Sequence, residues 1–159
     1  MKIAVLMGGT SAEREVSLAS GLGIVKALRE KGHEVWAVDT ARGFVAREEE
    51  GGLLPEGVHA APPSDLEGAL APIQLAEVEQ IRAADVAFLA LHGGAGEDGT
   101  IQALLDLMGV RYTGTGPLGS GIAMDKDVSK RLLRDAQVPT LPWRVARAPD
   151  FTYDADIIE

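Results

Sequence analysis

An apolar run that ends in two glycines and a charged turn constrains the fold of this chain more than any other stretch. Residues 2–7 are followed by Gly8-Gly9 and then by the polar cluster Thr10-Ser11-Ala12-Glu13-Arg14-Glu15. This order predicts a strand, a Gly-rich loop and the first turn of a helix. In α/β proteins such a corner lies at the carboxyl end of a sheet strand, where it can bind an anion or a small ligand.

The elements that follow repeat this arrangement. A helix is predicted at 16–31 with Gly32 as its stop, and a second strand at 34–39 completes a βαβ unit, hence a parallel pair. The strongest predicted buried strand, at 85–91, runs into His92 and a second Gly-rich corner at 93–99. Further predictions are helices at 75–83 and 101–108, a strand at 110–112, a Gly-rich turn at 113–117 with Pro117 opening a short helix, and a helix capped by Asp127 that runs to 136. The predicted fold class is α/β, an open parallel sheet flanked by helices.

The stretch 40–72 breaks this pattern, with Glu48-Glu49-Glu50-Gly51-Gly52 followed by Pro55, Pro62 and Pro63. We expect one or two edge strands there, near 43–47 and 58–60, within a long surface excursion. A solvated loop is favoured over a binding lid.

Composition excludes several classes of function. The formal net charge of −9 argues against nucleic acid or an anionic membrane as the main partner, because both require a basic surface. The absence of Cys removes disulfides and thiolate sites, and no apolar run approaches the ~18 residues of a membrane helix. These features favour a cytoplasmic protein without a membrane segment.

Candidate functional residues come from the Gly-rich corners, and structural interpretations stand beside the functional ones. Gly8 and Gly9 form either a ligand loop or a tight turn. Two Gly-rich corners on one sheet can share a crevice. A lone histidine is more often structural, but His92 is expected to face this crevice, whereas Glu97 and Asp98 are expected to be structural. No metal site is predicted, because the three histidines lie far apart in sequence. Lys126 is a solvated lysine by default, but it lies between two predicted helices.

Five motifs stand in a fixed order along the chain: Gly8-Gly9-Thr10-Ser11-Ala12-Glu13-Arg14-Glu15-Val16-Ser17, His92-Gly93 with Gly96-Glu97-Asp98-Gly99-Thr100, Tyr112-Thr113-Gly114, Met124-Asp125-Lys126, and Val138-Pro139 with Pro142-Trp143. In this order they resemble the D-alanine–D-alanine ligase family of the ATP-grasp superfamily. The resemblance implies a pre-ATP-grasp, Rossmann-like domain of an enzyme that uses ATP to join two D-alanines through an acyl-phosphate. That reaction belongs to peptidoglycan precursor synthesis, and thus to cell wall biogenesis and cell shape.

The resemblance also implies residue roles. Glu13 would accept a hydrogen bond from the ammonium group of the first D-alanine, and Gly8 and Gly9 would let the backbone approach the substrate. His92 would lie near the reacting carboxylate and its phosphorylated form. Lys126 would reach an ATP phosphate as a point charge. Glu13 and His92 are therefore the implied catalytic residues, and no metal ligand is carried over.

In the family a central ATP-grasp domain and a C-terminal domain follow, and they supply the adenine pocket and the magnesium ligands. We therefore expect residues 1–138 to form the substrate domain and 139–159 to begin a truncated central domain. ATP and Mg²⁺ would be bound mainly by domains absent from this chain, so the isolated chain is expected to be inactive.

The expected partners are D-alanine, ATP and a second copy of the chain in a homodimer. The alternative is a non-catalytic binding or assembly module, which would hold an amino acid weakly or pair through its first helices. A conventional nucleotide-binding Rossmann protein is a more distant alternative, because the Gly-x-Gly-x-x-Gly fingerprint is missing.

Overall fold

The computed structural model describes residues 1–54 and 69–145. The strands in these ranges are β1 (Lys2–Met7), β2 (Glu34–Asp39), β3 (Gly43–Val45) and β4 (Val86–Leu89). The α-helices are α1 (Arg14–Glu30), α2 (Glu79–Arg82), α3 (Thr100–Met108), α4 (Pro117–Met124) and α5 (Lys126–Asp135). Short 3₁₀ helices cover Glu50–Gly52, Pro72–Glu77 and Gly94–Gly96.

The strands form one sheet in the order β3-β2-β1-β4. β1 is parallel to both of its neighbours, and Val5 lies opposite Ala37 on one side and Phe88 on the other. β3 runs antiparallel to β2 as an edge strand, so the predicted α/β open sheet is confirmed with one antiparallel edge. The edge strand expected near 43–47 is β3, whereas the one expected near 58–60 lies outside the described residues.

The core lies on both faces of the sheet because β1 is buried on both faces. Ile3, Val5 and Met7 point toward α1, where they pack in one cluster with Leu18 and Val25. Side chains of alternate residues point to opposite faces of a strand. The other members of β1, Ala4 and Leu6, therefore belong to a second cluster with residues of α2 and α3. A doubly covered sheet requires the near-continuous apolar run that β1 shows.

Two expectations about strands are corrected. Residues 85–91 were expected to be the most buried strand. The strand covers only 86–89, and only Ala87 of β4 is buried, whereas five of the six residues of β1 are buried. The reason is position, because β4 is the last named strand on its side of the sheet. The predicted strand at 110–112 is reduced to an isolated parallel bridge between Ala87 and Tyr112.

Two expectations about helices are also corrected. The helix predicted at 75–83 is a 3₁₀ helix followed by the four-residue α2. The cap of α5 is Asp125 and not Asp127, since the Asp125 side chain accepts a hydrogen bond from the N–H of Val128 at 3.0 Å. Asp127 already lies in the first turn of α5, so its carboxylate is available to side chains. Pro117 does open α4, as predicted.

Two glycines of α1 differ sharply in their surroundings. A Cβ at Gly21 would lie 2.6 Å from Cβ of Met7, whereas a Cβ at Gly23 would have nothing within 4 Å. Gly23→Ala should stabilise the chain by about 0.8–1 kcal/mol through helix propensity. Gly21→Ala gains the same propensity but forces α1 away from β1, so we expect it to be about 1–3 kcal/mol less stable than Gly23→Ala. Urea unfolding of the two variants tests this, and equal stability would contradict the close helix-to-sheet contact.

The chain divides into two compact units, Met1–Met124 and a second that begins at Asp125. Each unit holds one of the two tryptophans. In the first, Lys2 Nζ lies 5.9 Å from the centre of the Trp36 ring on β2. No helix within residues 1–54 and 69–145 is long and apolar enough to cross a membrane.

In the second unit the segment after α5 folds back onto that helix. Trp143 lies between two cations of α5, with Lys130 and Arg134 each 5.5 Å from its ring centre. The indole N–H donates to Asp127 Oδ1 at 2.7 Å, and Lys130 Nζ donates to the carbonyl of Leu141 at 3.0 Å. These contacts fix the course of the chain from 141 to 143 along α5.

Candidate functional site

A small cleft of about 60 Å³ lies beyond the carboxyl ends of β1, β2 and β4. It is the crevice in which two Gly-rich corners were expected to meet, because parallel strands end at the same edge of a sheet. Its lining residues are Gly8, Gly9, Thr10, Ser11, Thr40, Leu70, Pro72, Leu75, Leu91, His92, Gly93, Ala95, Gly96 and Ile101.

The first corner depends on two glycines with positive φ, +74° at Gly8 and +83° at Gly9. Their N–H groups are used inside the protein, since Gly8 donates to Ser17 Oγ at 2.8 Å and Gly9 donates to Asp39 Oδ1 at 3.2 Å. A side chain at Gly8 would collide with the Asp39 carboxylate. These two glycines therefore shape the loop and permit close approach, while their amide donors serve the fold.

A buried ion pair holds this loop in place. Arg14 is 4% exposed and Asp39 is fully buried. The two guanidinium nitrogens of Arg14 donate to the two carboxylate oxygens of Asp39 at 2.8 and 2.5 Å, and one of them also donates to the carbonyl of Gly9 at 2.9 Å. Asp39 Oδ1 accepts a further hydrogen bond from the N–H of Ala41 at 2.9 Å. The pair thus ties the end of β2 to the loop after β1.

Neither this ion pair nor the role of Ser17 was predicted from the sequence. The Ser17 hydroxyl donates to the carbonyl of Ala90 at 2.7 Å while it accepts from Gly8, so it joins the ends of β1 and β4 through α1. A signal was present in the sequence, because Asp39 ends an apolar strand beside β1 and Arg14 opens the helix that follows β1. A buried acid and a buried base are expected to pair when the fold brings them close together.

The second corner is anchored to the first through His92. This histidine is half-buried and lines the cleft, and its carbonyl accepts a hydrogen bond from Ser11 Oγ at 2.5 Å. The same Ser11 oxygen accepts from the N–H of Glu13 at 3.2 Å. The imidazole Nε2 of His92 lies 3.3 Å from Ser20 Oγ of α1. His92 therefore faces the crevice, and both its main chain and its ring contact the first corner or its helix.

The Glu13 side chain lies close to Gly93 of the second corner. Its Oε2 lies 2.8 Å from where a Cβ on Gly93 would be, so only glycine fits there without a shift. The residue is exposed, and within residues 1–54 and 69–145 its carboxylate has neither a hydrogen bond nor an ion pair. Gly8, Gly9 and His92 thus line one cleft, and Glu13 lies beside Gly93 of that lining with a carboxylate that a cation can bind.

The remaining acids of the second corner differ in role. Asp98 Oδ1 accepts from the N–H of Thr100, the first residue of α3, at 2.9 Å, a structural role of the kind that was expected. Glu97 is exposed.

Farther along the chain, burial raises the pKa of Tyr112 above its ordinary value, and a hydrogen bond and the charge of Asp106 add to that rise. Tyr112 does not line the cleft.

Lys126 is the first residue of α5 and belongs to the second compact unit, where it is exposed. An exposed ammonium group at the start of a ten-residue helix is suited to binding an anionic oxygen.

The part of the chain that the structure describes holds no group of three or more His, Asp or Glu side chains that could bind a metal ion.

Comparison with known proteins gives one consistent family. The family model described as D-ala D-ala ligase N-terminus matches residues 2–115. A D-alanine–D-alanine ligase of Pediococcus pentosaceus is 41% identical over 94% of this chain and 47% of its own length. One from Geobacter sulfurreducens is 43% identical over 92% of this chain and 36% of its own length.

Solved structures agree with the sequence relatives. The D-alanine–D-alanine ligase of Bacillus anthracis complexed with ATP has a TM-score of 0.68 and 30% identity, over 98% of this chain and 43% of that one. The enzyme of Coxiella burnetii has a TM-score of 0.67 and 26% identity, over 94% of this chain and 46% of that one. The chain therefore spans less than half the length of these relatives.

Proposed function

The chain belongs to the family of D-alanine–D-alanine ligase N-terminal domains, and on this premise we propose that it forms the D-alanine-binding part of an ATP-dependent D-alanine–D-alanine ligase. The activity joins two D-alanines through an acyl-phosphate in peptidoglycan precursor synthesis, in the cytoplasm. Relatives that are 37–43% identical across most of the chain carry that name, which supports the proposal.

The Glu13 carboxylate is the observation that carries the proposal. It is exposed, lies against Gly93 of the second corner, and has no partner within the described ranges. A carboxylate that accepts from an ammonium group makes a charge-assisted hydrogen bond, which is stronger than a neutral one. If an amino acid binds Glu13 through its ammonium group, beside Gly93, its carboxylate can extend toward His92, which lines the cleft.

His92 and the two glycines complete this half of the site. In the proposal the imidazole hydrogen-bonds to the D-alanine carboxylate or to its phosphorylated form. Gly8 and Gly9 let the backbone approach the substrate closely, since neither has a side chain and both hold positive φ. Arg14, Asp39 and Ser17 keep the loop in this shape through the hydrogen bonds described above.

ATP, when bound, supplies the phosphoryl group that activates the first carboxylate. We propose that Lys126 contacts one of its phosphates, as a point charge on an exposed side chain. The described residues offer no cluster of metal ligands, so we assign no magnesium ligand among them. The same proposal includes a substrate domain at 1–138, the start of an ATP-grasp domain at 139–159, and a homodimer.

The catalytic proposal is tested with the product of the whole open reading frame that contains this chain. We expect it to release ADP in the presence of Mg²⁺ only when D-alanine is added, and to form the dipeptide in equal amount. L-alanine is the matched control. ADP release that does not depend on D-alanine, or no release at all, would contradict the proposal.

The binding proposal is tested with the 159-residue chain. D-alanine at about 100 times its Kd should raise the free energy of unfolding by about 2.7 kcal/mol. That change corresponds to roughly 5–10 °C in Tm for a domain of this size. A melting point that rises with protein concentration and ignores D-alanine would favour the assembly module instead.

A further inference from the structure

Ser20 is the side chain that contacts the imidazole of His92, and it lies outside every motif considered above. It is placed in the second turn of α1, and its Oγ is 3.3 Å from His92 Nε2. Both residues are half-buried, so water does not fully surround the contact. A hydrogen bond to one ring nitrogen determines which tautomer a histidine adopts.

The direction of this hydrogen bond follows from counting protons. A serine hydroxyl has a single hydrogen to donate. Ser20 Oγ is 2.8 Å from the carbonyl of Val16 and 3.2 Å from that of Ser17, so the shorter bond is to Val16, one turn earlier in α1. This is the usual back-bond of a helical serine. With its hydrogen on Val16, Ser20 Oγ can only accept from His92, and the imidazole therefore donates through Nε2–H.

His92 is thus held at two points. Ser11 donates to its carbonyl at 2.5 Å, and Ser20 Oγ lies 3.3 Å from its Nε2. The first contact holds the main chain, whereas the second holds the ring and determines which nitrogen is left for other partners. A neutral imidazole with a proton on Nε2 has its lone pair on Nδ1.

We propose that Ser20 is a positioning residue for His92, which keeps the neutral ring in the Nε2–H tautomer and leaves Nδ1 as the nitrogen that meets the ligand. The identity of the ligand rests on the proposed function, whereas the tautomer does not. Nδ1 accepts a hydrogen bond in the neutral ring, and donates one to an anionic oxygen once it is protonated. Ser20 itself touches no substrate.

The test observes the tautomer directly in the 159-residue chain without any ligand. Long-range ¹H–¹⁵N correlation spectra at alkaline pH, where imidazoles are neutral, distinguish the protonated ring nitrogen from the unprotonated one. The chain has three histidines, and the variant His92→Gln identifies the signals of His92. The variants compared are Ser20→Ala and the conservative Ser20→Thr, with backbone amide spectra as the check that each is folded.

We expect the native chain and Ser20→Thr to show a proton on Nε2 alone. In Ser20→Ala the two nitrogen shifts should move toward each other as the tautomers mix. The Hε2 proton should then exchange with water about 2- to 10-fold faster, which is the effect of losing one ordinary hydrogen bond. A proton on Nδ1 in the native chain, or a folded Ser20→Ala with unchanged shifts and exchange, would overturn the proposal.

Addition of D-alanine to the same sample then tests the role of Ser20 and the proposed function separately. If D-alanine binds, its addition should move the Nδ1 signal and leave the Nε2 signal in place, and the opposite pattern would overturn the role of Ser20. If D-alanine does not bind at all, the proposed function fails, while the ligand-free tautomer still decides whether Ser20 positions His92.

Discussion

Asp39→Ala is expected to lower the free energy of unfolding by about 3–5 kcal/mol, because it leaves the buried guanidinium of Arg14 without its counter-ion. Arg14 is only 4% exposed, so water cannot replace the lost carboxylate. The substitution also removes the acceptor for the N–H groups of Gly9 and Ala41. A loss of this size is a large share of the ~5–15 kcal/mol that stabilises a typical domain. Urea unfolding monitored by circular dichroism measures it.

Glu50→Ala provides a matched control at a second Arg–carboxylate pair. Arg29 donates to both oxygens of Glu50 at 2.7 Å, but these side chains are 21% and 13% exposed. Arg29 also keeps its bonds to the carbonyl of Val35. We therefore expect a loss of about 1 kcal/mol or less. Equal losses in Asp39→Ala and Glu50→Ala would contradict the inference that deeper burial makes the Arg14–Asp39 pair more important for stability.

The double variant Arg14→Met with Asp39→Leu separates stability from the shape of the site. Apolar residues of similar volume often replace a buried ion pair without loss of stability, so most of the unfolding free energy should return. The N–H of Gly9 still lacks its acceptor, however, and the loop after β1 is no longer tied to β2. The double variant should therefore regain most of its stability but bind D-alanine more weakly than the native chain does.

Glu13→Gln is expected to weaken D-alanine binding by about 10- to 150-fold, because a hydrogen bond to a charged group is worth about 1.5–3 kcal/mol. The exposed carboxylate has no partner in the described part of the chain, so the stability of the free protein should change by no more than about 0.5 kcal/mol. Titration calorimetry or amide shift changes in the 159-residue chain measure the affinity. In the product of the whole reading frame the same change should raise KM for the first D-alanine.

Glu97→Gln is the control for Glu13→Gln. It makes the same change in charge on an exposed residue of the second corner, whereas the atom nearest to a Cβ at Gly93 belongs to Glu13. We expect its effect on D-alanine affinity to be less than about 2-fold, because exposed charges are well screened by salt. If both variants lose affinity equally, the effect comes from net charge, and Glu13 is not the ammonium ligand.

The first βαβ unit was predictable because its signals are local. Gly8-Gly9 ends β1, Gly32 follows α1, and the apolar run at 34–39 matches β2 residue for residue. The cap of α5 was misplaced because Asp125 and Asp127 are both acceptable N-caps, and only the start of the helix decides between them. The bridge at Tyr112 depends on pairing with β4, which local pattern does not describe.

The site was predictable in part for the same reason. Because parallel strands end at one edge, Gly8 and His92 were expected to share a crevice, and both line the same cleft. The side chains that hold His92 and the loop after β1 in place were not predictable from spacing alone. Ser20 contacts His92 across 72 positions, and Arg14 contacts Asp39 across 25, so both contacts depend on how α1 lies against the sheet.

The distribution of tryptophans has a practical consequence for measuring the two compact units. The chain has two indoles, Trp36 beside Lys2 in the first unit and Trp143 between Lys130 and Arg134 in the second. Single-tryptophan proteins made with Trp36→Phe or Trp143→Phe would each emit from one unit alone. Their fluorescence would provide two independent optical signals, by which the melting of each unit can be followed separately within one chain.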